Sequence, residues 1–201
     1  MASIRSFEQI VLSQQPAQTP WRPVTDYSFQ ARKAIEGKQP ALILDHLVSC
    51  DDADILDWGC GPDAILVRLL RDEVARRDLQ VAIEGYDPQR HEAPPAPEPV
   101  WDLVICREVL EHLTVRQIAS TVSDLCVRSA QFVYVTTRFS SEFDILHVET
   151  SDDLDPTHIS LCAKDLIRLL FVLEGFRQRK DLEQALDWQG KRRCLVYERA
   201  A

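Results

Sequence analysis

Apolar residues along the chain fall into two rhythms, short unbroken runs and runs spaced by three or four. Ile55–Leu56, V-A-I-E-G-Y, V-W-D-L-V-I-C-R and A-Q-F-V-Y-V-T-T are short and rich in β-branched or aromatic residues, which predicts buried strands. Between them Ile65, Leu66, Leu69 and Leu70 follow Pro62 at helical spacing, and Val115, Ile118, Val122 and Leu125 share one helical face. Helices are therefore expected over residues 62–77 and 114–128, with a further one running through D-L-I-R-L-L-F-V-L-E to Gly175. Strands alternating with helices predict an α/β fold with a mainly parallel sheet, because a helix is the usual crossover between parallel strands. The last part of the chain, 176–182 and 193–199, fits two closing strands joined by a loop with Asp187 and Gly190.

The flanks of this pattern are irregular. Ile4, Phe7, Ile10 and Val11 predict an amphipathic helix over 3–13, which Pro16, Pro20 and Pro23 end. A second helix is expected over 27–36 and a third over 40–49, so residues 1–50 read as a helical cap on a core of 51–201, one domain in all. Two stretches break the alternation. Residues 89–99 carry Pro94, Pro95, Pro97 and Pro99, a density that no helix or inner strand survives. The 15 residues from Asp87 to Asp102 are too few for a helix and a strand, so the sheet should be shortened at that edge. Residues 138–157 form a long polar run rich in Asp and Glu, the usual character of a functional loop or lid.

Charge narrows the partners. The 201 residues carry 32 Asp and Glu against 23 Lys and Arg, a net charge of -9, which disfavours nucleic acid and anionic membrane and leaves a small molecule as the expected substrate. No apolar run reaches the length of a membrane span. The six cysteines are scattered without a C-x-x-C pair and read as reduced core residues of a cytoplasmic protein. Nothing in the sequence sets an oligomeric state.

Chemistry concentrates at three places. In A-D-I-L-D-W-G-C-G-P-D a strand ending at Asp57 turns through Gly59, Cys60 and Gly61 into a helix start, where absent side chains let a ligand approach backbone N–H groups. The next strand ends at Asp87, 26 residues beyond Gly61. An acidic residue there accepts hydrogen bonds from ribose hydroxyls in nucleotide-binding sheets. The strand W-D-L-V-I-C-R runs straight into E-V-L-E-H, where Glu108, Glu111 and His112 stand at i, i+3 and i+4 and would share a helical face. Carboxylates and imidazoles so placed suit a divalent ion, and His158 in D-P-T-H could add a nitrogen.

The wording of these motifs resembles the class I S-adenosylmethionine (SAM) methyltransferases. I-L-D-W-G-C-G-P is similar to their first motif, W-D-L-V-I-C-R-E-V-L-E-H-L to their fourth, and D-P-T-H-I with its helix and Gly-Phe ending to their closing region. The resemblance covers about residues 53–200. It implies a Rossmann-like doubly wound sheet with an antiparallel C-terminal strand and SAM at the strand ends. Gly59 and Gly61 would then lie by the methionine part and Asp87 by the ribose, while Cys106, Arg107 and Glu108 line the pocket and Asp57 orders the glycine loop. Asp63 departs from the glycine common there.

Two subgroups carry E-x-x-E-H. The ubiquinone-biosynthesis O-methyltransferases are one. The small-RNA 3′-terminal 2′-O-methyltransferases are the other, and they place a metal on two Glu and two His. That likeness implies Mg²⁺ or Mn²⁺ on Glu108, Glu111, His112 and His158. Without metal, His112 and His158 are the candidate proton-handling catalysts.

The expectation is a SAM-dependent methyltransferase acting on oxygen or nitrogen of a small polar metabolite or glycan. Its rivals are an RNA-end 2′-O-methyltransferase, with a basic groove from Arg177, Arg179, Lys180 and residues 191–193, and a non-catalytic partner protein with a degenerate pocket.

Overall fold

The computed structural model describes residues 37–49, 52–88, 100–140, 146–147, 158–187, 190 and 193–200. The helices expected at 3–13 and 27–36, the proline stretch 89–99 and most of the acidic stretch 138–157 lie outside them. In chain order the elements are α1 (Gln39–Leu47), β1 (Asp54–Trp58), α2 (Ile65–Arg77), β2 (Ala82–Tyr86), β3 (Trp101–Arg107), a 3₁₀ turn (Leu110–His112), α3 (Val115–Arg128) and β4 (Ser129–Thr136). They continue with β5 (Leu146–His147), β6 (Leu161–Cys162), α4 (Lys164–Leu173), β7 (Phe176–Gln178), α5 (Lys180–Leu186) and β8 (Cys194–Arg199).

Six strands form one sheet in the order β2-β1-β3-β4-β8-β7. The β1, β2, β3 and β4 pairings are parallel, while β8 runs antiparallel to both β4 and β7. This is a Rossmann-like doubly wound sheet with an antiparallel closing strand. Residues 180–186, expected as strand end and loop, form α5 instead. Its carboxylate Glu183 accepts from the Val196 N–H of β8 and from the Gln178 amide, which fastens the helix across the last two strands.

The continuous apolar runs of β1, β3 and β4 are buried because both faces are covered. Ile55, Leu103, Ile105 and Phe132 meet Ile43, Leu47, Leu70 and Leu186 of α1, α2 and α5 on one face. Leu56, Val104, Val133 and Val135 meet Ile118, Val122, Ile167 and Phe171 of α3 and α4 on the other. Burying each such side chain contributes roughly 1.5–3 kcal/mol. β2 alternates exposed Ala82 and Glu84 with buried Ile83 and Tyr86 and is the outermost strand on its side among the described residues.

Helix ends follow local chemistry. Thr114 starts α3 with a capping box, its hydroxyl accepting from the Gln117 N–H while the Gln117 side chain accepts from the Thr114 N–H. Thr114→Ala should therefore cost about 1 kcal/mol, read as a lowered urea midpoint at unchanged slope. By contrast α2 begins three residues later than Pro62 predicts. Ala64 sits in the left-handed region at φ +44 and interrupts the helix, so residues 61–64 form a turn. Four of the described cysteines, Cys106, Cys126, Cys162 and Cys194, are buried thiols as expected of core residues, whereas Cys60 in the glycine turn is half-buried. Burial pushes the Cys126 thiol up to about 12 and the Cys162 thiol to about 11. No helix among the described residues is long and apolar enough to cross a membrane.

Candidate functional site

Strand order reverses between β1 and β3, and the loops leaving their carboxyl ends meet there, the position at which doubly wound sheets bind ligands. The glycine turn after β1 is folded onto the end of β2, since the Gly59 and Cys60 N–H groups both donate to the Tyr86 carbonyl, at 2.7 and 3.1 Å. Those two donors are thus committed to the protein, contrary to the expectation of unpaired N–H groups offered to a ligand. The same bonds bring buried Asp87 beside the turn. Asp57, also buried, lies within β1, which runs one residue further than expected, to Trp58.

The two glycines of the turn do different work. A Cβ at Gly59 would lie 2.4 Å from Val109 Cγ2, so this glycine makes room for the loop after β3. A Cβ at Gly61, at φ +70, would meet nothing within 4 Å, so this glycine faces open space. A third glycine belongs with them. A Cβ at Gly85 would come within 2.9 Å of Val67 and 3.1 Å of the Cys60 sulfur, so its absence lets α2 and the turn lie close on β2. A lone glycine inside the strand pattern V-A-I-E-G-Y was the available signal for such a close approach.

After β3 the chain departs from the expected helical turn. Cys106 is fully buried in the core, and Arg107 and Glu108 are half-buried at the strand end. Glu108 lies in the left-handed region at φ +49, held by its N–H donating to the Thr136 carbonyl at 2.7 Å. Non-glycine residues held in that region cost of order 1 kcal/mol and gather at functional sites. Glu108 therefore does not share a helical face with Glu111 and His112, which sit on the 3₁₀ turn Leu110–His112. Exposed Asp63 stands in the turn before α2.

Glu111 is the centre of the site. It is 0% exposed. Thr137, just past β4, donates its hydroxyl to Glu111 Oε2 at 2.7 Å, whereas Oε1 is buried without a partner. The Glu111 carbonyl accepts from the Ile159 and Ser160 N–H groups at 2.8 and 3.1 Å, which docks the segment carrying His158 against it. The His112 and His158 rings lie 4.8 Å apart between centroids. One ligand atom each from Glu111, His112 and His158 lie within 4.8 Å of one another. Burial first, and the Glu108 carboxylate second, hold the Glu111 carboxyl well above the usual carboxylate range.

The structure thus brings together Glu111, His112 and His158 from motifs 46 residues apart, with Glu108 close enough to perturb Glu111. Thr137, Val109 and Gly85 were not singled out by sequence reading. Of the expected basic groove, Arg177 pairs with Glu198 at 2.7 Å, and Arg179 with Asp181 at 2.6 Å and Glu198 at 3.0 Å, while residues 191 and 192 lie outside the described residues.

No protein-family model and no curated protein sequence matches the chain. Among solved structures, the chain is similar to the YcgJ protein of Bacillus subtilis, with TM-score 0.52 at 10% identity over 82% of this chain and 99% of that one. It is also similar to an O-methyltransferase family protein of Burkholderia thailandensis, with TM-score 0.51 at 13% identity over 97% and 67% of the two chains. The pyocyanin biosynthetic protein PhzM gives TM-score 0.50 at 15% identity over 85% and 56%. At these identities the likeness is one of fold.

Proposed function

We propose that the protein is a SAM-dependent methyltransferase that methylates oxygen or nitrogen of a small polar acceptor. The observation that carries this reading is the contact at the strand-order reversal. Through Gly59 and Val109 the open glycine turn abuts the loop that bears buried Glu111 and half-buried His112, against which the segment carrying half-buried His158 is docked. A cofactor cradle and a cluster of proton- and metal-competent groups thus stand side by side. The fold likeness to an O-methyltransferase family protein agrees with it.

The residues present fit both groups. Open Gly61 provides the close approach a cofactor needs, and Asp87, fixed beside the turn, is the ribose acceptor. Bound SAM supplies a methyl group on a sulfonium, leaving alignment and deprotonation of the acceptor to the protein. The partnerless Oε1 of Glu111 fits a cation better than an all-protein network, because a buried carboxyl oxygen left unsatisfied is costly. Glu111, His112 and His158 would hold Mn²⁺ or Mg²⁺, with Glu108 beside them. The two imidazoles suit Mn²⁺ better than Mg²⁺, which prefers oxygen ligands and tight octahedral geometry. His112 or His158 would otherwise take the acceptor proton. The ion pairs of Arg177 and Arg179 weigh against RNA as the acceptor.

The test is calorimetry with S-adenosylhomocysteine (SAH). Binding to the wild-type protein is expected, and Asp87→Ala should weaken it by about 1–3 kcal/mol through loss of a charged hydrogen-bond acceptor. A wild-type protein that binds neither SAM nor SAH would overturn the methyltransferase reading. Unchanged affinity in Asp87→Ala would remove only Asp87 from the site.

A further inference from the structure

Thr137 is 2% exposed and is the side chain that holds Glu111. Its backbone is itself anchored, since the Thr137 N–H donates to the Arg193 carbonyl at 3.2 Å, tying the end of β4 to the residue before β8. Its hydroxyl donates to Glu111 Oε2 at 2.7 Å. A carboxylate is a rigid plane, so fixing Oε2 against a fixed hydroxyl also fixes the direction of Oε1. That second oxygen is buried without a partner, and the main chain of Glu111 is pinned by the Ile159 and Ser160 N–H groups. The main chain and Oε2 of Glu111 are thereby held, and Oε1 is the oxygen without a partner.

We infer that Thr137 is a positioning residue whose hydroxyl presents Glu111 Oε1 to a divalent cation shared with His112 and His158. The inference rests on the cation reading above. A hydroxyl suits the task because it donates one proton to the charged carboxylate without adding charge of its own. Without it Oε2 loses the donor that fixes it, and the carboxylate plane can turn so that Oε1 no longer faces the two imidazoles. Outer hydrogen bonds of this type orient metal ligands, and losing one weakens metal affinity about 10-fold or more.

The experiment is calorimetric titration of Mn²⁺ into the full-length protein, with SAH affinity and melting temperature measured on the same samples. Thr137→Val keeps the shape and removes the hydroxyl, and should weaken Mn²⁺ binding about 10-fold with SAH affinity unchanged. Thr137→Ser restores a hydroxyl and should return Mn²⁺ affinity to within about twofold of wild type. If Thr137→Val fails to fold, Thr137→Ala against Thr137→Ser makes the same comparison. Wild-type Mn²⁺ affinity in the hydroxyl-free variant, or equal loss in the valine and serine variants, would overturn the inference while leaving the cation site standing. Failure of the wild-type protein to bind Mn²⁺ would overturn the cation site, and the role of Thr137 with it.

Discussion

Glu111→Gln is expected to silence methyl transfer and at the same time stabilise the ligand-free protein. Turnover, read as SAH release with a panel of polyhydroxylated and amine acceptors, should fall by at least about 100-fold, whether Glu111 holds a cation or assists proton transfer. Chelator should do the same to the wild-type protein while SAH affinity stays intact, because the cofactor cradle at Gly61 and Asp87 lies beside the cluster. The stability gain follows from burial. The folded-state pKa of Glu111 is raised above the ordinary carboxyl value of 4.5. Above that value the folded protein retains a proton that the unfolded chain releases. The contribution of the neutral carboxyl is therefore fully present below about pH 4.5 and is lost as pH rises through the raised folded pKa. Glutamine does not ionise, and its amide oxygen still accepts from Thr137. Melting temperatures in chelator should fall with rising pH above about pH 4.5 for the wild type and fall less steeply for Glu111→Gln. If Glu111 merely braced the loop, the variant would melt lower at every pH and bind SAH more weakly.

Gly61→Val should remove cofactor binding. The residue stands at φ +70 with open space where a side chain would go, so nothing in the protein demands a glycine there for packing. Valine would occupy that space with two methyl groups and would hold a β-branched residue in the left-handed region, at about 1–2 kcal/mol of backbone strain. SAH affinity should drop by more than about 100-fold, equivalent to roughly 2.7 kcal/mol. The melting temperature should reflect only the strain. Gly85→Ala offers the contrasting pattern, since its Cβ would press on Val67 and Cys60, and overpacking of about 1–3 kcal/mol should appear in stability first. A Gly61→Val protein that binds SAH normally would move the cofactor away from the turn.

The sheet was legible because its inner strands are buried on both faces. Leu103, Val104 and Ile105 stand together as an apolar run that no helix period explains. The cap of α3 was equally open to reading, since Thr114 and Gln117 stand in capping-box spacing. What escaped was decided by backbone conformation or by distant parts of the chain. Ala64 and Glu108 take left-handed conformations that their identities do not announce, and these delayed α2 and took Glu108 off the turn that carries Glu111 and His112. Residues 180–186 have too little apolar periodicity to declare a helix, and α5 is secured by Glu183 reaching across to β7 and β8. His158 was found through its motif, whereas Thr137 reads as the ordinary end of a strand. Only its meeting with a glutamate 26 residues earlier in the chain gives it a task.

The place of β8 sets a condition on synthesis. β4 lies inside the sheet only because Cys194–Arg199 returns to pair with Phe132–Thr136, and β7 reaches the sheet only through β8. While the chain emerges from the ribosome, β1 to β4 and their helices are complete some sixty residues before that partner arrives. Throughout that interval Phe132, Val133, Tyr134 and Val135 border an open edge, the kind of surface that recruits a neighbouring nascent strand. A chain truncated before residue 194 should therefore be prone to aggregate, because the six residues of β8 are what cover this edge of β4.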